Sequence, residues 1–225
     1  TRRSSDLFID RNQDRPFFAY YPMVLVHDPF VPTPASENWA DEQARYKEDT
    51  AYFRDMMAYT DRIIGKIVTK LEETGIRENT LLIFTADNGT SRRIVSYKKG
   101  RRVQGAKGKT ITDGVHVPLL INWPNKIKKA RRYEGLIEFS DFFATLADLT
   151  GVHADTDGHS FLPLLEGREY RERETVKVFY DPRWGDCVHL YKNSFALTAD
   201  YTLYKDGSFD TIWADQLEQE NLFKQ

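Results

Sequence analysis

The chain has 225 residues, 32 Lys and Arg against 34 Asp and Glu, a net charge of −2, 40% hydrophobic and 13% aromatic content, and one Cys. This composition excludes a coiled coil, a collagen-like chain and a disordered tail, and the lone Cys excludes a disulfide framework. No apolar run approaches the ~20 residues of a membrane span, and the charge balance gives no global case for nucleic acid or membrane. The length suits one or two domains, enough to bury roughly 70% of the unfolded surface.

In chain order, Ser4 to Asn12 reads as the end of a helix. Phe17-Phe18-Ala19-Tyr20-Tyr21 is an apolar, aromatic run that predicts a buried strand. The segment from Pro22 to Pro34 carries four prolines and is irregular. Tyr46, Thr50, Phe53, Met57, Thr60, Ile64, Ile67, Val68 and Leu71 recur at helical spacing, with Gly75 placed to end the helix. Thr80 to Ala86 is a continuous β-favouring run, which predicts a strand buried on both faces and paired in parallel. Asp87-Asn88-Gly89 breaks it, and a loop with many charges follows.

Val115 to Trp123 predicts another strand. Phe139 to Leu149 predicts a second helix, with Ser140 as N-cap and Gly151 past its end. The tail changes character. Val176 to Tyr180, Val188 to Lys192, Ser194 to Thr198 and Thr202 to Lys205 predict a small antiparallel sheet, with Asp206-Gly207 as a tight turn. The switch falls in Gly151 to Gly167.

Four residues carry the candidate chemistry. Asp87 and Asn88 follow a strand, where open α/β sheets bind ligands, and their oxygens suit a hard cation such as calcium; a plain turn is the competing reading. His27 also follows the first expected strand and can donate to an anion or act as a general acid, against a structural loop role.

Between Ser91 and Lys109 stand eight Lys or Arg and no acid. The stretch ends in Gly105-Ala106-Lys107-Gly108-Lys109-Thr110, where ammonium groups and backbone amides can approach an oxyanion. It lacks P-loop spacing, and most of its charges read as a solvated loop. Tyr97 is its only aromatic residue, which argues against nucleic acid. Cys187 reads as a structural thiol. His153, Asp155, Asp157 and His159 are too loosely spaced for a standard metal site and read as a solvent-exposed linker.

In order, these pieces resemble the type I sulfatases of the alkaline-phosphatase-like superfamily. Arg15 to Pro22 followed by His27-Asp28-Pro29 is similar to that family's strand and His-x-Pro loop. Asp61 to Gly65 and Thr80 to Gly89 match "D-x-x-x-G…T-x-x-x-F-T-x-D-N-G". Lys107 to Pro118 resembles "K-G-x-T-x-x-x-G-x-R-V-P", with His116 where many members have Arg. Asp215 to Leu222 looks like part of the family's C-terminal subdomain.

The resemblance implies an α/β fold: part of a mostly parallel sheet flanked by helices, plus a small C-terminal antiparallel sheet. It places the latter part of the catalytic domain at residues 1–151, and a linker with the C-terminal subdomain at 152–225. It implies a sulfuric ester hydrolase with His27 and Lys107 as catalytic, sulfate-binding residues and Lys109 as a lesser alternative for the lysine. Asp87 and Asn88 become ligands of calcium. The implied substrate is a sulfated small molecule or glycan, with no nucleic-acid partner and no membrane span, in a periplasmic or secreted setting.

The family's formylglycine comes from a [CS]-x-P-x-R motif, and no Cys or Ser stands two residues before any of the nine prolines. The acidic ligands of the family's first strand are also absent. With Thr1 opening the chain, the expectation is the carboxyl-terminal portion of a sulfatase, with formylglycine upstream; alone it would bind calcium weakly and hydrolyse no ester. The alternatives are a phosphate mono- or diester hydrolase of the same superfamily, or a non-catalytic anion- or glycan-binding module.

Overall fold

The computed structural model describes residues 2–98, 100–181 and 193–211. Contacts divide the chain into two compact units. The first comprises Thr1–Gly108 with His116–Asn125, and the second Lys109–Val115 with Lys126–Gln225.

In the first unit, α1 (Arg2–Asn12) packs on the long α3 (Tyr52–Glu73). The short α2 (Glu42–Arg45) precedes α3, with the Asp41 carboxylate accepting the N–H groups of Gln43 and Ala44. The helix expected from Tyr46 therefore begins six residues later. Asp49 Oδ1 accepts the Ala51 N–H at 2.8 Å, a local bond that competes with helix and sets the true start. Phe30, Met56 and Ile94 form the buried centre of this unit, with Leu25, Val26, Tyr52 and Phe53 packed around them. Phe30 is fully buried and meets Phe53 edge-on at 5.7 Å; a side chain buried this completely contributes about 2–3 kcal/mol.

The strand expected at Phe17 to Tyr21 does not form. Phe18 and Tyr20 are 69% and 79% exposed, and Phe17 instead packs edge-on against Phe8 of α1. An extended segment with no ladder beside it gains nothing from β-propensity. β1 (Leu82–Thr85) pairs with β4 (Leu119–Asn122), register Leu82 to Asn122. That pairing is antiparallel, which corrects the parallel expectation for this run. All four residues of β1 are only half-buried, and an apolar run encodes burial rather than direction. The second strand is also shorter than expected: Val115 ends a helical turn, α4 (Thr112–Val115), and the ladder begins only at Leu119. Between β1 and α4 lies an unexpected hairpin, β2 (Val95–Lys98) with β3 (Arg101–Gln104), turning at Gly100.

In the second unit, α5 (Phe139–Thr150) ends at Gly151, whose φ of 70° is the left-handed cap a side chain would resist. Its N-cap is Glu138, not Ser140: Asp141 Oδ2 accepts the Glu138 N–H at 2.9 Å and closes the first turn. Of the stretch read as a solvent-exposed linker, His153, Asp155 and Asp157 are exposed and His159 is half-buried, and the chain packs down just after it. Phe161 is fully buried against Phe142, its N–H donates to Thr145 Oγ1 at 3.0 Å, and α6 (Leu162–Leu165) follows. β5 (Val176–Tyr180), β6 (Asn193–Leu197), β7 (Tyr201–Tyr204) and β8 (Phe209–Thr211) then form a four-stranded antiparallel sheet in sequence order. The Asp206-Gly207 turn joins β7 to β8, with Asp206 Oδ1 accepting the Ser208 N–H. Val188 to Lys192, Cys187, His189 and Asp215 to Leu222 lie outside the described residues. Among the described residues no helix is long and apolar enough to cross a membrane.

Candidate functional site

All four candidate residues, His27, Asp87, Asn88 and Lys107, belong to the first unit. Asp87 and Asn88 leave the end of β1, and the Asn88 amide Nδ2 donates to the Asp87 carboxylate. That bond turns the Asn88 carbonyl oxygen away from Asp87, so a carboxylate oxygen and a carboxamide oxygen remain for a hard cation. Asp87 is exposed and Asn88 half-buried.

The β2–β3 hairpin returns the chain to this point. Its roots are tied by Gly105 N donating to Ile94 O and by Lys107 N donating to Thr90 O, both at 2.9 Å. Lys107 is thus fastened two residues from Asn88, although nineteen positions separate them in the chain. The close approach needs glycine: a Cβ on Gly105 would collide with the carbonyl oxygens of Thr90 and Ser91. Those atoms are backbone and cannot swing aside. A Gly105→Ala variant is expected to lose roughly 1–3 kcal/mol of stability, and to weaken oxyanion binding at Lys107 beyond what its melting temperature explains. Thermal melts beside ligand titrations check this.

His27 stands on the loop before Phe30. Its Nδ1 contacts Asp28, donating to the backbone oxygen at 2.6 Å and lying 2.9 Å from the carboxylate. The ring is half open to solvent, with 53% of the side chain exposed, and Nε2 is the nitrogen left to face a ligand. Leu25 and Val26 of this loop pack on the same buried cluster as Ile94 at the hairpin root. Glu48 makes a second tie: its Oε1 accepts the Phe30 N–H at 3.4 Å and pairs with Arg93, which also lies over the Phe30 ring at 5.6 Å. The His27 loop and the hairpin are therefore fastened to one another by a core cluster and an ion pair.

Glu48, Arg93, Thr90 and Gly105 are the positioning residues that sequence reasoning missed. Glu48 and Arg93 are 45 residues apart, and no spacing signals such a pair. Gly105 alone carries a readable sign, a glycine where a basic segment turns back. Among the described residues no group of three or more His, Cys, Asp or Glu side chains is placed to hold a metal, so Asp87 and Asn88 could supply only two of a cation's ligands. His116 is exposed between α4 and β4. In the second unit, the His159 N–H donates to Asp141 at 2.7 Å, which gives that segment a structural part.

A family profile described as Sulfatase matches residues 1–152, and one described as N-sulphoglucosamine sulphohydrolase, C-terminal, matches residues 107–210. Human arylsulfatase A is 32% identical over 188 residues, covering 81% of this chain and 35% of that protein. An N-acetylgalactosamine-6-O-sulfatase of Bacteroides thetaiotaomicron is 28% identical over 183 residues, covering 75% of this chain and 34% of the relative. The crystal structure of PsFucS1 sulfatase from Pseudoalteromonas sp. superposes with a TM-score of 0.67 at 26% identity, covering 90% of this chain and 39% of that one. The chain therefore spans about a third of the length of the curated relatives it matches.

Proposed function

This chain belongs to the sulfatase family, and from that premise we propose that it supplies the sulfate-binding side of a sulfuric ester hydrolase. Its α/β architecture with an appended antiparallel sheet is that of the alkaline-phosphatase-like sulfatases. The observation that supports the proposal is the hairpin root, where the Lys107 N–H donates to the Thr90 carbonyl, two residues past Asn88.

A sulfate ester presents oxygens with spread negative charge that grows on the leaving oxygen as the S–O bond breaks. Lys107 offers a compact ammonium charge to those oxygens. His27, held through Nδ1 by Asp28, would in its imidazolium form donate Nε2–H to a sulfate oxygen or hand that proton to the leaving oxygen, ending as the neutral Nδ1–H ring. Asp87 and Asn88 offer two hard oxygens, and so fit calcium as part of the six to eight it takes. When bound, calcium supplies further positive charge against the sulfate. The formylglycine signature is not among these residues, so no nucleophilic step is assigned to this chain.

The same reading makes the substrate a sulfated small molecule or glycan and the setting periplasmic or secreted. Within it, residues 1–151 belong to the catalytic α/β domain and 152–225 to the linker and C-terminal subdomain.

The test is hydrolysis of 4-nitrophenyl sulfate by the active protein that carries this chain. Chelation of calcium and the Asp87→Ala variant are each expected to lower kcat/KM at least 10²-fold. A full rate under both, or a preference for 4-nitrophenyl phosphate, would overturn the proposal.

A further inference from the structure

The β2–β3 hairpin is more than a brace for Lys107. Its register sets Tyr97 directly across from Arg102, and Val95 across from Gln104. Residues two apart on a strand share a face, so Val95, Tyr97, Arg102 and Gln104 line one side of the hairpin. All four are exposed, and Tyr97 is 75% exposed. Cross-strand pairs of this kind hold their Cβ atoms about 5 Å apart, so a phenol ring and a guanidinium stand side by side.

The hairpin also interrupts a run of nineteen residues with eight basic and no acidic side chains. From Gln104 at the root to Arg102 is two residues, about 7 Å of strand. The basic aromatic face thus rises directly from the segment that carries Lys107.

Building on the sulfatase reading, we infer that this face is a substrate subsite for a polysulfated glycan, gripping a sugar unit beyond the one whose ester is cleaved. The chemistry of the pair selects that occupant. An aromatic face packs against the C–H surface of a sugar ring, and a guanidinium pairs with two oxygens of a sulfate on the same unit. A small aryl or steroid sulfate carries one charged group, which the site at Lys107 already takes. Nucleic acid is the weaker match: the protein is net acidic, and a single aromatic offers no successive stacking platforms.

The test measures the full protein against a dextran sulfate hexasaccharide and 4-nitrophenyl sulfate, by hydrolysis and by equilibrium binding. Arg102→Ala is expected to lower the hexasaccharide-to-aryl ratio of kcat/KM about tenfold, and to reduce the salt dependence of hexasaccharide binding by about one ion. Tyr97→Ala is expected to weaken hexasaccharide binding about tenfold with the salt dependence retained. Arg102→Glu should exceed Arg102→Ala in the same direction.

Variants that leave the ratio and the binding constant as they were, or a single-stranded oligonucleotide that competes as well as the hexasaccharide, would overturn the inference. The two readings fail separately. An absence of ester hydrolysis with hairpin-dependent binding intact defeats only the sulfatase reading, and Lys107-dependent hydrolysis with indifferent hairpin variants defeats only this one.

Discussion

Lys107→Ala is expected to lower kcat/KM for a sulfate ester about 10²–10³-fold in the active enzyme, the usual loss when one preorganised charge donor is removed from a developing oxyanion. Its backbone N–H, not its side chain, ties the hairpin root to Thr90. The fold and melting temperature should therefore stay close to wild type, and the loss should read as chemistry. Lys107→Arg keeps the charge but replaces a compact ammonium with a broad planar fork, and should recover only part of the rate. Lys109 is the internal control. It stands exposed two residues on, and Lys109→Ala should cost well under tenfold. Steady-state kinetics on the three variants checks the assignment. A large loss at Lys109 with little at Lys107 would move the sulfate-binding role to the neighbour.

That assignment shows which parts of the site can be read from a linear chain. The Thr80 to Gly89 run carries its own punctuation: apolar, β-favouring residues stop at Asp87-Asn88-Gly89, so a candidate ligand pair at a strand end is readable. The helix of α3 is equally readable from its apolar period. What brings Lys107 to that strand end is not. The hairpin lies in a run whose charges mask the alternation of Val95 and Tyr97, and its closing contacts are backbone bonds. Glu48 joins Phe30 to Arg93 over long separations that leave no local pattern. Strand direction is likewise absent from composition, which is why β1 and β4 pair against expectation. Phe17 to Tyr21 has β-propensity without a neighbouring ladder, and propensity alone does not make a strand.

Asp141→Ala is expected to be the most destabilising single change within the second unit. Asp141 sits in α5 with no exposed surface. It accepts the Glu138 N–H at 2.9 Å, the His159 N–H at 2.7 Å, and both Nε and a terminal nitrogen of Arg173. Arg173, with only 9% of its side chain exposed, also pairs with Glu138 at 2.8 Å. Burial works against the Arg173 charge, but the hydrogen bond and charge of Asp141 outweigh it and hold the guanidinium pKa above its usual value. One carboxylate thus fastens the start of α5, the segment leading to Phe161, and the chain entering β5. Removing it strips four donor groups of their acceptor and leaves a nearly buried cation with Glu138 alone. Breaking a buried pair from one side costs about 3–5 kcal/mol, and a chain of this size loses roughly 2–4 °C of melting temperature per kcal/mol, so a fall of about 10 °C is expected. The double variant Asp141→Leu with Arg173→Met should melt above Asp141→Ala, because it removes the stranded charge together with its partner. Calorimetric melts of the two variants decide the matter. If the double variant is no more stable than the single one, the cost lies in the backbone N–H donors left without an acceptor rather than in the buried charge.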